Sequence, residues 1–243
     1  MTLRRWALVL LALPLLAVLL GLGTWQVRRL HWKTGLLASI AAAEAGPAQP
    51  LGAAVPAPFA KVSATGQFDH GREGLLGVEL RGTTMGAHLL TPLLRPGAPP
   101  LLVDRGWVPV ERSQGIDRPA GEVTVTGYVR APDERDWNSP RDDPAARRFY
   151  LLDPAAIGAA LGLPPPAPFG LVALAPPGTP PHVLPAAARS LPRPNNPHLG
   201  YAITWYGLAA ALVGVTIAFL LRRPATGPGA PDSACETADD RRL

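Results

Sequence analysis

Cysteine is almost absent: the chain has one, Cys235, so no intrachain disulfide can form and no paired-cysteine metal site exists. Catalytic signatures are missing too. There is no nucleophile elbow, no phosphate-binding glycine loop and no HExxH pair. His70, His88 and His182 are scattered, with no second ligand at metal spacing, and read as separate strand or surface histidines. A membrane-anchored hydrolase would need a nucleophile and base assembled from distant segments, and the sequence signals neither. The chain reads as a non-enzyme.

Charge is sparse and oddly placed. The net charge is +5, yet Leu30–Pro197 holds 15 basic against 14 acidic residues and the stretch after Arg223 holds 2 against 4. The surplus is Arg4, Arg5, Arg28, Arg29, Arg222 and Arg223, all flanking long apolar runs. A basic excess of that kind punctuates a membrane and does not form a polyanion-binding face. Nucleic acid is therefore an unsuitable partner.

What the chain does have is two long uncharged segments, Trp6–Val27 with 22 residues and Leu199–Leu221 with 23. About 20 apolar residues cross a hydrocarbon core. The first is read as an anchor, since no small-residue cleavage site closes it. Pro14 is tolerable in a membrane helix. Two spans put both termini on one side, and local charge does not settle which. The two spans are expected to pack through small residues at four-residue spacing, Ala17 and Gly21 against Ala210, Gly214 and Ala218.

Between the runs the pattern changes. Residues 28–58 read as an interfacial helix followed by a Pro-rich linker, with Trp25, Arg29 and Trp32 on one face. Residues 59–175 read as a β-rich soluble domain. "KVSATGQF" (61–68) and "EVTVTGYV" (122–129) alternate strictly, as half-buried strands do. Weaker strand candidates lie at 75–80, 87–94, 101–108, 149–152 and 171–175. "DPAAIGAALGL" (153–163) is a short helix with Asp153 as cap, Pro154 in the first turn and Gly162 at the stop. The expected fold is a mainly antiparallel sheet or partly closed barrel with one or two helices. Residues 176–197 read as a proline-rich connection, and 222–243 as a disordered tail.

Two constellations stand out. In "DRGWVPV", Arg105, Gly106 and Trp107 form either a structural corner, with Arg105 paired to a carboxylate and Trp107 packed, or a docking surface. At the head of the second span, His198, Tyr201, Ala202 and Trp205 share one helical stripe. This sets an imidazole, a phenol and an indole at interface depth. His198 is an interface or capping neighbour, or a ligand; neutral imidazole can hold haem iron axially. Trp25, Arg28, Arg29 and Trp32 lie near the interface at the end of the first run.

The segments "GTWQVRRLHWK", "GQF", "HLLTPLL", "DRGWVP" and "NPHLGYAITWYGLA", in that order between two apolar runs, resemble the Surfeit-locus protein 1 family of cytochrome c oxidase assembly factors. Asp104 departs from the family, where Asn is commoner. The resemblance implies a multi-pass protein of the inner mitochondrial or bacterial cytoplasmic membrane that assists maturation of oxidase subunit I, alongside other assembly factors. Its bacterial type is expected here, because the first span starts at Trp6. In that type residues 1–5 and 222–243 are cytoplasmic and the central domain is periplasmic. The resemblance further implies transient haem a binding with His198 as iron ligand and Tyr201 and Trp205 as pocket neighbours; on that reading Arg28 and Arg29, beside Trp25 and Trp32 near the interface, are expected to meet the propionates, since guanidinium suits carboxylates. A cofactor-free scaffold that binds oxidase subunits is the alternative.

Overall fold

The structure is a computed structural model that describes residues 3–111 and 115–221. Cys235, Arg222, Arg223 and the tail expected to be disordered lie outside the described residues. The chain divides into two units, one formed by the terminal segments up to Trp32 and from Asn196, the other by Lys33–Asn195.

The first unit is a helix pair. Helix α1 runs from Leu3 to Ala45 with Pro14 inside it, and α3 from His198 to Leu221. Both are long and apolar enough to cross a membrane, and they flank the β-rich unit in sequence. Their contact differs from the expected one. Within this unit, among the residues whose burial is described, Leu19, Gly23 and Gln26 on α1 and Ala202 and Ala209 on α3 are the buried positions. They recur at four- and seven-residue intervals, the seam of two closely packed helices. A Cβ at Gly23 would sit 2.8 Å from the Tyr206 ring, so the missing side chain admits the tyrosine. By contrast Ala17, Gly21, Ala210, Gly214 and Ala218 are exposed, and nothing lies within 4 Å of a Cβ built at Gly21 or Gly214. Small-residue spacing recurs on several faces of an alanine-rich helix. The face with polar partners, Thr24 and Gln26, is the one that packs.

The second unit is a barrel. Its strands are β1 (Gln49–Pro50), β2 (Lys61–Phe68), β3 (Gly74–Arg81), β4 (Thr84–Leu94), β5 (Leu101–Pro109), β6 (Glu122–Arg130), β7 (Arg148–Phe149) and β8 (Gly170–Ala173). Their order is β1-β2-β6-β8-β5-β4-β3-β7, and β2 pairs a second time, with β4. Strands β2, β6, β8, β5 and β4 therefore close a five-stranded ring, all antiparallel except β5 with β8. Closure occurs at Gln67–Leu94 and Phe68–Leu93. Gly66 permits it, since a side chain there would overlap the Leu94 carbonyl.

Alternation along β2 points Val62, Ala64 and Gly66 inward, where they meet Leu93, Leu101, Val103, Val129 and Leu171. Every residue of β5 is buried, because neighbours pair on both edges and both faces are covered. Helix α2 (Pro154–Ala160) has Asp153 as cap, its carboxylate accepting from Ala156 N at 3.1 Å, and Gly162 turns the chain at φ +66°. Its Ile157, with Leu161, packs on Leu76, Leu90, Leu102 and Leu152. The proline-rich 176–194 stretch is part of this body. Leu184 and Leu191 are buried, and Ala186 and Ala188 bridge to Trp107 and Leu174.

Candidate functional site

In the helix pair, His198 is the first residue of α3 and is half-buried. Its Nδ1 lies 2.7 Å from Oε1 of Gln26, a buried amide on α1. An amide oxygen only accepts, so Nδ1–H is the donor and the neutral ring keeps its lone pair on Nε2. That contact fixes both tautomer and ring direction. Two turns further into α3, the Tyr206 hydroxyl is 3.1 Å from Thr24 Oγ1. These two bonds pin the helices at one end. Tyr201 is 54% exposed and Trp205 half-buried, while Trp25 and Trp32 are exposed by 55% and 54%. Arg28 is exposed, and the Arg29 guanidinium lies 4.1 Å over the Trp32 ring. Stacking occupies the face of a guanidinium and leaves its edge donors for an anion.

Gln26 escaped the sequence reading. It was detectable as the single amide within the first apolar run, where polar side chains tend to bond across helices. Among the described residues, no three metal-ligating side chains converge. A lone imidazole cannot hold a bare ion against water. It can hold an iron whose other positions are already filled by a porphyrin.

The barrel carries a second constellation, centred on His88 in β4. Its Nδ1 is 2.9 Å from Asp104 Oδ1 on β5 and its Nε2 is 2.8 Å from Glu79 Oε2 on β3. The hydrogen bond to Asp104 raises the His88 pKa above its usual value, with Glu79 adding to the effect and burial opposing it. Glu79 is held low, first by Arg81 and then by His88. Asp104 Oδ1 also accepts from Gly106 N at 3.0 Å. Both ring nitrogens of His88 are thus engaged, so it offers no lone pair to a substrate; it ties three strands together. A pocket of about 500 Å³ opens beside it, with Phe59, Arg81, Asp104, Tyr128 and Arg130 in its lining.

Arg105, Gly106 and Trp107 belong to this layer, and all three are buried. Arg105 donates to the Asp117 carbonyl at 2.7 Å, covers the Phe68 ring at 4.8 Å and stands 3.7 Å from Glu73. Burial lowers its pKa, opposed by the Glu73 charge. Glu73 itself is pushed up by burial, but hydrogen bonds from Arg118 and His70 outweigh this and hold it below the usual value. Trp107 fills the space above Gly86 and donates from Nε1 to the Glu79 carbonyl at 3.1 Å. Gly106 adopts φ +118°, with the Ala186 carbonyl where a side chain would be. Any docking role for this stretch would act through the rim it supports, since neither the Arg105 nor the Trp107 side chain is on the surface.

The sequence model of one family, described as the SURF1 family, matches residues 13–210, which include the His198–Gln26 pair and the whole barrel. Surfeit locus protein 1 of Mus musculus is 30% identical over 233 aligned positions, covering 85% of this chain and 72% of the mouse protein. Its namesake in Xenopus tropicalis is 28% identical over 234 positions, covering 86% of this chain and 73% of the frog protein. A SURF1-like protein of Monosiga brevicollis is 29% identical over 238, covering 90% and 87%. With a match running from inside the first apolar helix, through the barrel, into the second, the chain belongs to the SURF1 family.

Proposed function

We propose that this chain is a membrane-tethered assembly factor for cytochrome c oxidase that holds haem a at His198 and passes it toward subunit I. In this reading α1 and α3 span the cytoplasmic membrane of a bacterium, and the barrel is periplasmic. Membership of the SURF1 family supports the assembly role. The observation that carries the haem reading is the His198–Gln26 bond, which aims an imidazole with a free Nε2 from the end of an apolar helix. Bound there, haem would supply an iron already held by four porphyrin nitrogens, with room for an axial imidazole. Tyr201 and Trp205 offer aromatic surface, and Arg28 and Arg29 offer guanidinium groups for two propionates. A single protein imidazole suits a carrier: it orients its cargo and has one bond to give up.

The test is spectroscopic. The parent and His198→Ala are purified in detergent from cells that make haem a, and reduced-minus-oxidised spectra are recorded. A haem a band in the parent that is lost or shifted in the variant supports the proposal. A parent without the band, from cells whose oxidase is normal, defeats the carrier role and leaves the cofactor-free scaffold.

A further inference from the structure

We propose that the pocket on the outer face of the barrel binds a small zwitterion, with an amine and a carboxylate at opposite ends of a short apolar chain. Strand register builds its floor. Val129, Leu171 and Val103 align across β6, β8 and β5 and belong to the core. The next row, Tyr128, Val172 and Asp104, aligns in the same way, so its side chains point to the opposite face, and all three line the pocket. Arg130, two residues beyond Tyr128 on β6, lines it too. Phe59 and Pro192 contribute apolar wall, and a volume of about 500 Å³ fits a small-molecule site. Every lining residue lies within the barrel unit.

Three polar groups of the floor have bonding capacity left. Asp104 is only 5% exposed, yet its Oδ2 accepts from none of the described residues, because His88 and Gly106 N both bond to Oδ1. A carboxylate oxygen at that depth calls for a donor, and an ammonium makes the stronger, charge-assisted bond. The Tyr128 hydroxyl is half-buried and has no partner among the described residues. Burial raises its pKa, with the Asp104 charge adding and Arg130 opposing, so it stays a protonated donor. Arg130 gives only Nη2 to Asp133, which leaves the rest of its guanidinium for an anion. Arg81 and His88 are already engaged by Glu79. Charge then chooses the occupant. The lining holds two arginines and two aspartates, so a ligand of one sign meets repulsion as well as attraction. A zwitterion is matched, its ammonium at Asp104 and its carboxylate between Tyr128 and Arg130. Two strand spacings and two residues set the Cα atoms of Asp104 and Arg130 roughly 12 Å apart, so the two charges belong at the ends of a chain and not on one carbon. No residue of this pocket belongs to the His198 site, so the two proposals stand or fall separately.

The experiment titrates the full chain in detergent with ε-aminocaproate, hexylamine and caproate by isothermal calorimetry, at about pH 8, where a primary amine keeps its proton. The zwitterion is expected to bind about 10-fold or more tightly than either relative with a single charge. Asp104→Asn should weaken its Kd about 10–100-fold and erase its advantage over caproate. Arg130→Gln should erase its advantage over hexylamine. Tyr128→Phe, which removes one hydroxyl from the outer face, should weaken it about 2–10-fold. Melting temperatures show which variants are folded, and Tyr128→Phe decides if the other two are not. Hexylamine or caproate binding as tightly as ε-aminocaproate, no heat from ε-aminocaproate at millimolar concentration, or a Kd that the folded variants leave unchanged would each overturn the proposal.

Discussion

Replacing Asp104 with Asn should destabilise the barrel in acid and hardly at all in alkali. A histidine whose folded pKa is raised contributes its full stability below the unfolded value near 6.5, and that contribution is lost as pH rises through the folded value. Asp104 is the largest cause of the rise. Glu79, whose pKa is lowered, contributes above its unfolded value near 4.5 and loses this only as pH falls through the folded one, so it stays constant across the window. The charged hydrogen bond joins a side chain 31% exposed to one 6% exposed. Bonds to charged groups are worth about 1.5–3 kcal/mol, and partial solvent access argues for the lower figure, ~1.5 kcal/mol. Once His88 is neutral, Asn can still accept from its Nδ1–H, and the loss should be under ~0.5 kcal/mol. For a chain of this size ~1.5 kcal/mol is roughly 3–6 °C in melting temperature. Tryptophan-fluorescence melts of parent and Asp104→Asn, at about pH 5.5 and about pH 9 with matched salt, measure the difference of differences. Equal shifts at both pH values would refute the reasoning, and so would a larger loss in alkali.

Gly106→Ala should cost about 3 kcal/mol or more, because the new side chain meets both the φ of +118° and the Ala186 carbonyl; a melt within 2 °C of the parent, read by the same fluorescence assay, would contradict it. Gly23→Leu should destabilise the helix pair by about 1–3 kcal/mol through the Tyr206 ring, whereas Gly21→Leu, facing open space, should stay within ~0.5 kcal/mol, as thermal stability in detergent will report. Gln26→Leu should weaken haem a binding by about 10–100-fold by freeing the His198 ring, with Gln26→Glu retaining the acceptor and most of the affinity; haem titration followed by absorbance compares the three.

Local pattern and long-range register account for what could be read from the sequence and what could not. The alternation in 61–68 and 122–129 reports a face buried on one side, and both segments are strands with that face inward. Asp153, Pro154 and Gly162 are read equally well, since caps act through neighbours in sequence. Ring closure has no such local mark: it depends on Gln67 and Phe68 meeting residues of β4 more than twenty positions away. Strand β5 hides itself for a related reason. A strand buried on both faces does not alternate, so "LLVDRGW" shows neither its depth nor the carboxylate and guanidinium it carries inside. His88 reads as solitary because its carboxylate partners, Asp104 and Glu79, are set by strand pairing and not by ligand spacing, while His70 joins the nearby Glu73 to the distant Pro119 carbonyl. Proline content misled in the opposite direction. Pro176–Pro194 lacks regular elements yet contributes Leu184 and Leu191 to the interior and the Ala186 carbonyl that makes Gly106 obligatory. The same principle separates the two sites. His198 could be singled out because an imidazole at the head of an apolar run is anomalous on its own, whereas its tautomer is fixed by Gln26, 172 positions away, and only the packed helices bring the two together.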